Sequence, residues 1–230
     1  MKFAWVAIVI SLFFIACQGS TQDKAHMKSF KDSVSYCIGM NIGRDFSHQS
    51  IDVDPELLAQ GIKDVIAGGK TMISDSDAQT CMMSFQKDLM SKQEAKNKEM
   101  GDKNMKEGEA FLAANKTKEG VKVTASGLQY KVIKEGTGPK PKAEQTVQVH
   151  YRGTLIDGTE FDSSIKRGQP AEFPVNGVIK GWTEALQLMS VGSKYQLFIP
   201  SELAYGSQGA GHQIGPNAVL IFEVELLAIK

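Results

Sequence analysis

The stretch VHYRGTLIDGTEFDSS, Val149 to Ser164, decides the fold of the C-terminal half of this chain. It belongs to a strand-like run from Thr146 to Ile156 with period-two patterning, and Asp157-Gly158 is a strong turn signal between two such runs. Outward from it the same period recurs from Val121, through Leu128 to Ile133, Lys194 to Ile199 and Ala218 to Ile229, punctuated by Gly and Pro. One short helix is expected over Thr183 to Met189, between Gly181-Trp182 and Ser190-Val191-Gly192. A sheet with a single helix laid across it is an α+β domain.

Upstream of Val121 the period changes to that of helices. Phe30, Val34, Cys37, Ile38 and Ile42 recur at three- and four-residue spacing, with Gly39 and Gly43 as a bare ridge. Asp54-Pro55-Glu56 predicts a helix start, with Asp54 as cap and Pro55 in the first turn. Its apolar face is Leu57, Leu58, Ile62, Val65 and Ile66, and Gly68-Gly69 stops it. A third helix opens at Ser74, with Ser74 and Asp77 as a capping pair. Its stripe of Ala78, Cys81, Met82, Phe85 and Leu89 fades into polar residues before Phe111 and Leu112. If continuous to Asn115 it is roughly 60 Å long; Gly101 and Gly108 cost it helix propensity and leave a bend or break open. The chain thus reads as multidomain. An all-α N-terminal domain with a long linker helix, residues 30–118, precedes an α+β domain over residues 119–230.

Composition narrows the function. Lys plus Arg and Asp plus Glu each number 26, so charge gives no sign of nucleic-acid binding. The first residues look like an export signal: Lys2, then an apolar run from Phe3 to Ala16, too short to span a bilayer. Phe14-Ile15-Ala16-Cys17, followed by Gln18-Gly19-Ser20, resembles a bacterial lipobox, with Phe14 bulkier than is usual there. The expectation is a signal peptide over residues 1–16, lipidation at Cys17 with a membrane-stable anchor, and a tether over residues 17–29. The alternative is an ordinary cleaved signal with Cys17 incidental. Cys37 and Cys81 lie on apolar helical faces and are expected as buried thiols, with disulfide pairing left open.

Three segments carry a family resemblance: Val149 to Ser164, GVIKGWTEALQLMSVG from Gly177 to Gly192, and Leu203 to Leu227. In order and spacing they resemble the FKBP-type peptidyl-prolyl isomerases over nearly all of the last ~110 residues. The resemblance implies an FKBP-like antiparallel sheet wrapped around one short helix. It also implies acceleration of X-Pro cis/trans isomerisation in proline-containing or unfolded polypeptides, without cofactor, metal or covalent intermediate. Tyr151, Phe161, Asp162, Val178, Ile179, Trp182, Tyr205, Ile214 and Phe222 match the positions that line the family's proline pocket. Trp182 would be its floor, Tyr151, Phe161 and Phe222 aromatic walls, and Val178, Ile179 and Ile214 aliphatic ones. Tyr205 would offer its hydroxyl, the Ile179 N–H would bind a substrate carbonyl, and Asp162 would face the reacting amide.

Two positions depart from the family pattern. Ala171 stands where many members carry a further pocket aromatic, and Ala210 where many carry histidine, with His212 nearby. Both open the rim and are expected to alter the residue preferred before proline and the affinity for macrolide ligands. Gly206, Gly209 and Gly211 make a flexible loop that lacks the helix start a phosphate site needs. Asp157, Glu160 and Asp162 suggest paired carboxylates, but turn chemistry and the resemblance explain them better.

The N-terminal half, through FKDSVSYCIGMNIGRDF and DPELLAQGIKDVIAGG, resembles the helical region of Mip- and FkpA-like isomerases. That implies a homodimer through residues 30–90 and a lipid-anchored protein of the bacterial envelope that assists exported proteins. A rival reading makes the helical cleft a chaperone for unfolded chains, with isomerase activity secondary.

Overall fold

A computed structural model describes residues 27–230 in two compact units, residues 27–74 and Asp75–Lys230. The expected signal peptide, the lipidation site at Cys17 and most of the tether lie outside the described residues.

The first unit holds helices α1 (Phe30–His48) and α2 (Pro55–Ile66). Ser29 and Asp32 cap α1 reciprocally, each side chain accepting from the other's backbone N–H. Asp54 caps α2 as its sequence predicts, accepting from the N–H groups of Glu56 and Leu57, with Pro55 in the first turn. Gly68, at φ 63°, ends it. Neither helix has a buried residue. Their apolar side chains border a cleft of roughly 490 Å³ lined by Ile42, Phe46, Leu58 and Ile62, with Gly39 and Gly43 bare beside it. The expectation of buried thiols is overturned: Cys37 and Cys81 are both free and exposed. Apolar periodicity identifies a face, but among the described residues no segment covers either cysteine.

In the second unit, α3 (Asp75–Asn115) is one unbroken helix of 41 residues. It does not break at Gly101 and Gly108, because these glycines are among its few buried residues. A β-carbon on Gly101 would sit 3.2 Å from Pro216 Cβ, and one on Gly108 only 2.7 Å from Val219 Cγ2. They let the helix backbone touch the following domain. Phe111 packs on Phe198 with ring centroids 6.0 Å apart. At the C-terminus the buried Asn115 donates to Gln129 Oε1 at 2.9 Å, and Gln129 Nε2 donates to the Leu112 carbonyl at 2.9 Å. Each partner thus satisfies polar groups that burial would otherwise orphan.

The sheet has seven antiparallel strands: β1 (Val121–Val123), β2 (Gln129–Lys134), β3 (Thr146–Thr154), β4 (Glu160–Ser163), β5 (Ala171–Pro174), β6 (Lys194–Ile199) and β7 (Leu220–Ile229). Their order is β1-β2-β6-β7-β3-β4, and β5 shares the outer edge of β3 with β4. Alternate residues Val147, Val149 and Tyr151 of β3, and Leu220, Phe222, Val224 and Leu226 of β7, face one core. The helix α4 (Lys180–Leu188) closes that core with Trp182, Ala185 and Leu186. It starts earlier than its apolar pattern predicts, because the Ile179 carbonyl already accepts from the N–H groups of Trp182 and Thr183. Among the described residues no helix is long and apolar enough to cross a membrane.

An exposed helical glycine replaced by a larger residue gains helix propensity, by up to about 1 kcal/mol. Gly108→Val should instead lose about 1–3 kcal/mol in urea denaturation of the chain from Ser20, because its side chain would be driven into the buried Val219.

Candidate active site

At one end of the core the side chains leave a cavity of roughly 690 Å³. All nine residues singled out in the sequence line it. They arrive from separate elements. Tyr151 comes from β3, Phe161 and Asp162 from β4, Val178, Ile179 and Trp182 from the start of α4, and Phe222 from β7. Tyr205 and Ile214 come from the long connection between β6 and β7.

Trp182 is the deep element, only 4% exposed. Its indole meets Tyr151, Phe173 and Phe222 edge to face, with centroids 5.3, 5.7 and 5.2 Å away. Phe161 adds an edge-on contact to Phe222 at 5.4 Å. These are the preferred arrangements of aromatic quadrupoles, so the rings are fixed by their mutual packing. Trp182 Nε1 is buried without an acceptor among the described residues. Tyr205 stands half-exposed at the rim. Ile179 is the N-cap of α4, where backbone N–H groups have no intrahelical partner.

One charged group enters this wall. The Asp162 carboxylate accepts hydrogen bonds from the Tyr151 hydroxyl and from Arg167 Nη1, while Arg167 Nη2 donates to the Tyr151 oxygen at 2.9 Å. Burial pushes the Asp162 carboxyl up, but the hydrogen bonds from Tyr151 and Arg167 and the guanidinium charge outweigh it. The result lies below the ordinary carboxylate value. Burial and then the hydrogen bond to Asp162 push the Tyr151 phenol up. At neutral pH the triangle therefore contains an ionised Asp162 and a protonated Tyr151, and its carboxylate is a fixed negative charge rather than a proton donor. The neighbouring acids are engaged elsewhere: Glu160 with Arg152 and Lys166 at 2.7 and 2.8 Å, and Asp157 with the Thr159 N–H at 2.8 Å.

Sequence reasoning missed two of these residues. Arg167 sits on a turn after β4 and reads as one more solvated charge. Phe173 lies two residues beyond Ala171 on β5, hence on the same face, and lines the cavity. It supplies an aromatic wall beside the place that Ala171 leaves bare. His212 and Ala210 line the outer rim.

The comparisons with known proteins agree with this architecture. Residues 138–227 match the family described as FKBP-type peptidyl-prolyl cis-trans isomerase. Residues 31–132 match the family described as the domain amino terminal to FKBP-type peptidyl-prolyl isomerase. The chain is 44% identical to the outer membrane protein MIP of Legionella longbeachae, over 100% of this chain and 99% of that protein. It is 48% identical to the FKBP-type peptidyl-prolyl cis-trans isomerase FkpA of Aeromonas hydrophila, over 90% of this chain and 79% of that protein. Among solved structures, FkpA from Escherichia coli superposes with a TM-score of 0.66 at 36% identity, covering 89% of this chain and 99% of that one.

The triangle has a titration consequence. Because the folded Asp162 is depressed, its contribution to stability is present above the unfolded carboxyl value and is lost as pH falls through the lower folded value. Arg167→Met removes a donor and a charge and leaves burial, so Asp162 should titrate at higher pH than in the wild type. Side-chain carboxyl NMR of the two proteins measures this; an unmoved titration would mean that Arg167 does not hold the carboxylate in solution.

Proposed function

Because the chain belongs to the FKBP-type peptidyl-prolyl cis-trans isomerases, and is an enzyme of that class, we propose that the aromatic cavity over Trp182 is its proline pocket. The observation that carries this reading is the convergence of Trp182, Tyr151, Phe161 and Phe222 on one cavity with Asp162 and Tyr205 at its edge.

Rotation about an X-Pro bond is opposed by amide resonance, a barrier of ~18–20 kcal/mol. The planar amide is strongly dipolar and the twisted one is less so. A pocket walled by apolar rings therefore disfavours the planar ground state relative to the twisted transition state, and every ~1.4 kcal/mol is tenfold in rate. The proline ring rests on the Trp182 indole between Tyr151, Phe161, Phe173 and Phe222, with Val178 and Ile214 beside them. The Tyr205 hydroxyl and the Ile179 N–H hold the flanking carbonyls while the bond turns. Asp162 acts as a fixed charge and as the group that orients Tyr151. No proton need be transferred and no bond need be broken.

We further propose that the protein is exported, anchored through a lipid on Cys17, and dimeric through residues 30–90, with residues 119–230 as the catalytic domain. The uncovered apolar faces of α1 and α2 support the dimer. The envelope location is supported by the lipobox-like sequence and by the full-length relative named an outer membrane protein. Its substrates are then exported chains, whose X-Pro bonds isomerise unaided in tens to hundreds of seconds. Macrolides enter the same pocket, with affinity altered by Ala171 and Ala210. The relatives are named for isomerisation, and the chaperone reading is not favoured.

Acceleration of a short X-Pro peptide by the chain from Ser20 tests the pocket. Tyr205→Phe should lower kcat/KM about threefold to tenfold, the worth of one hydrogen bond. Asp162→Ala should lower it further, because it also releases Tyr151 and Arg167. Full activity in a folded Asp162→Ala protein would remove Asp162 from the site. Sedimentation of the same chain should give twice the monomer mass; a monomer at micromolar concentration would overturn the dimer.

A further inference from the structure

The helix α3 reaches the active site through the connection between β6 and β7. That connection carries Tyr205, Ala210, His212 and Ile214 of the pocket, and its segment from Gly206 to Asn217 is closed on itself. The Asn217 N–H donates to the Gly206 carbonyl at 2.8 Å across its mouth, and Ala210 and Ile214 pair as an isolated bridge inside. Gly206, Gly209 and Gly211 take positive φ in its tight turns. The loop is therefore not slack, as its glycines suggest in sequence, but a small closed body. What remains is how that body is fixed to the rest of the domain.

It is held on one side by hydrogen bonds to α3. Asn104 Nδ2 donates to the Pro216 carbonyl at 2.8 Å, and Asn217 Nδ2 donates back to the Gly101 carbonyl at 3.3 Å. Bare backbone on both partners permits this: a β-carbon on Gly215 would lie 3.1 Å from Asn104 Nδ2, and one on Gly101 3.3 Å from Asn217 Nδ2. Packing reaches only the base of the loop, where Met100 lies against Gly215 and Pro216 against Gly101. A cavity of roughly 190 Å³ lies between it and α3, and His212 and Gln213 line both that cavity and the proline pocket. The loop is thus a thin wall with space on both faces, tied at its base by two amides. Asn217 holds its amide there from a left-handed backbone, φ 56°, a conformation uncommon for side-chain-bearing residues.

We propose that Asn104 of α3 and Asn217 of the loop are positioning residues of the isomerase. They clamp the wall that bears Ile214 and begins next to Tyr205, and so set the rim that meets the residue before proline. The long helix is then part of the pocket's scaffold as well as a link to the N-terminal unit. This rests on the proline-pocket reading above and goes beyond it, since neither residue lines that pocket.

The test uses the chain from Ser20 with Asn104→Ala and, separately, Asn217→Gly. The glycine keeps the left-handed backbone and removes only the amide. Amide hydrogen exchange over residues 206–217 should quicken in both, while the melting temperature stays near that of the wild type. KM for X-Pro peptides should rise about threefold to tenfold, with kcat changed less than about twofold. The ranking of peptides with Leu, Glu or Ala before proline should change. Combining the variants should cost less than the product of their separate effects, because both break one clamp. Unchanged KM and ranking beside an active wild type would overturn the clamp and leave the isomerase standing. An inactive wild type would sink both.

Discussion

The edge-to-face packing of Trp182 against Tyr151, Phe173 and Phe222 is the contact on which the rest of this domain depends. It joins α4 to strands β3, β5 and β7, so the one helix is fixed to the sheet by the same rings that shape the cavity. A protein interior normally fills to crystal-like density. Here the packing stops at one end of the core, and Trp182, Tyr151, Phe173 and Phe222 line the hollow that remains. Stability and recognition therefore share residues at the floor. At the rim they separate: Tyr205 is half-exposed, and Asp162 and Arg167 are also reached by water.

Much of the fold was legible because its signals are local. The Asp157-Gly158 turn, the Asp54 cap with Pro55 and the alternation of Val147, Val149 and Tyr151 each follow from a few neighbouring residues. The pocket was legible for a different reason. No periodicity brings Tyr151 beside Phe222; their order and spacing matched a known family. Where neither source applied, the reading failed. Arg167 carries no local mark that separates it from a solvated arginine, yet it completes the triangle around Asp162. Cys37 and Cys81 lie on apolar stripes that nothing among the described residues covers.

The uncovered stripes have a physical meaning of their own. Two helices with no buried residue contribute almost no hydrophobic burial to set against the entropy of ordering them. Capping at Ser29 and Asp54 is worth about 1 kcal/mol each and cannot fill that gap. Good caps on helices with no core describe segments whose local structure is encoded, and whose burial needs a surface that the described residues of one chain do not supply. The homodimer proposed above would supply it.

The glycines of α3 show how a rule of propensity is overridden. Gly101, Gly108 and Asn115 are the buried residues of this helix, and they recur every seven positions. A seven-residue step nearly returns to the same face, drifting only ~20°, so they form one seam over roughly 20 Å of helix. Each glycine costs the helix about 1 kcal/mol. The seam offsets this with the Phe111 contact, the Val219 approach and the Asn115–Gln129 pair. Read one at a time, the glycines look like breaks. Read at their spacing, they mark the face along which the helix backbone meets the side chains of Pro216, Asn217 and Val219. That face ends at the loop bearing Ile214, so a change that tilts α3 has to move either the seam or the wall of the pocket.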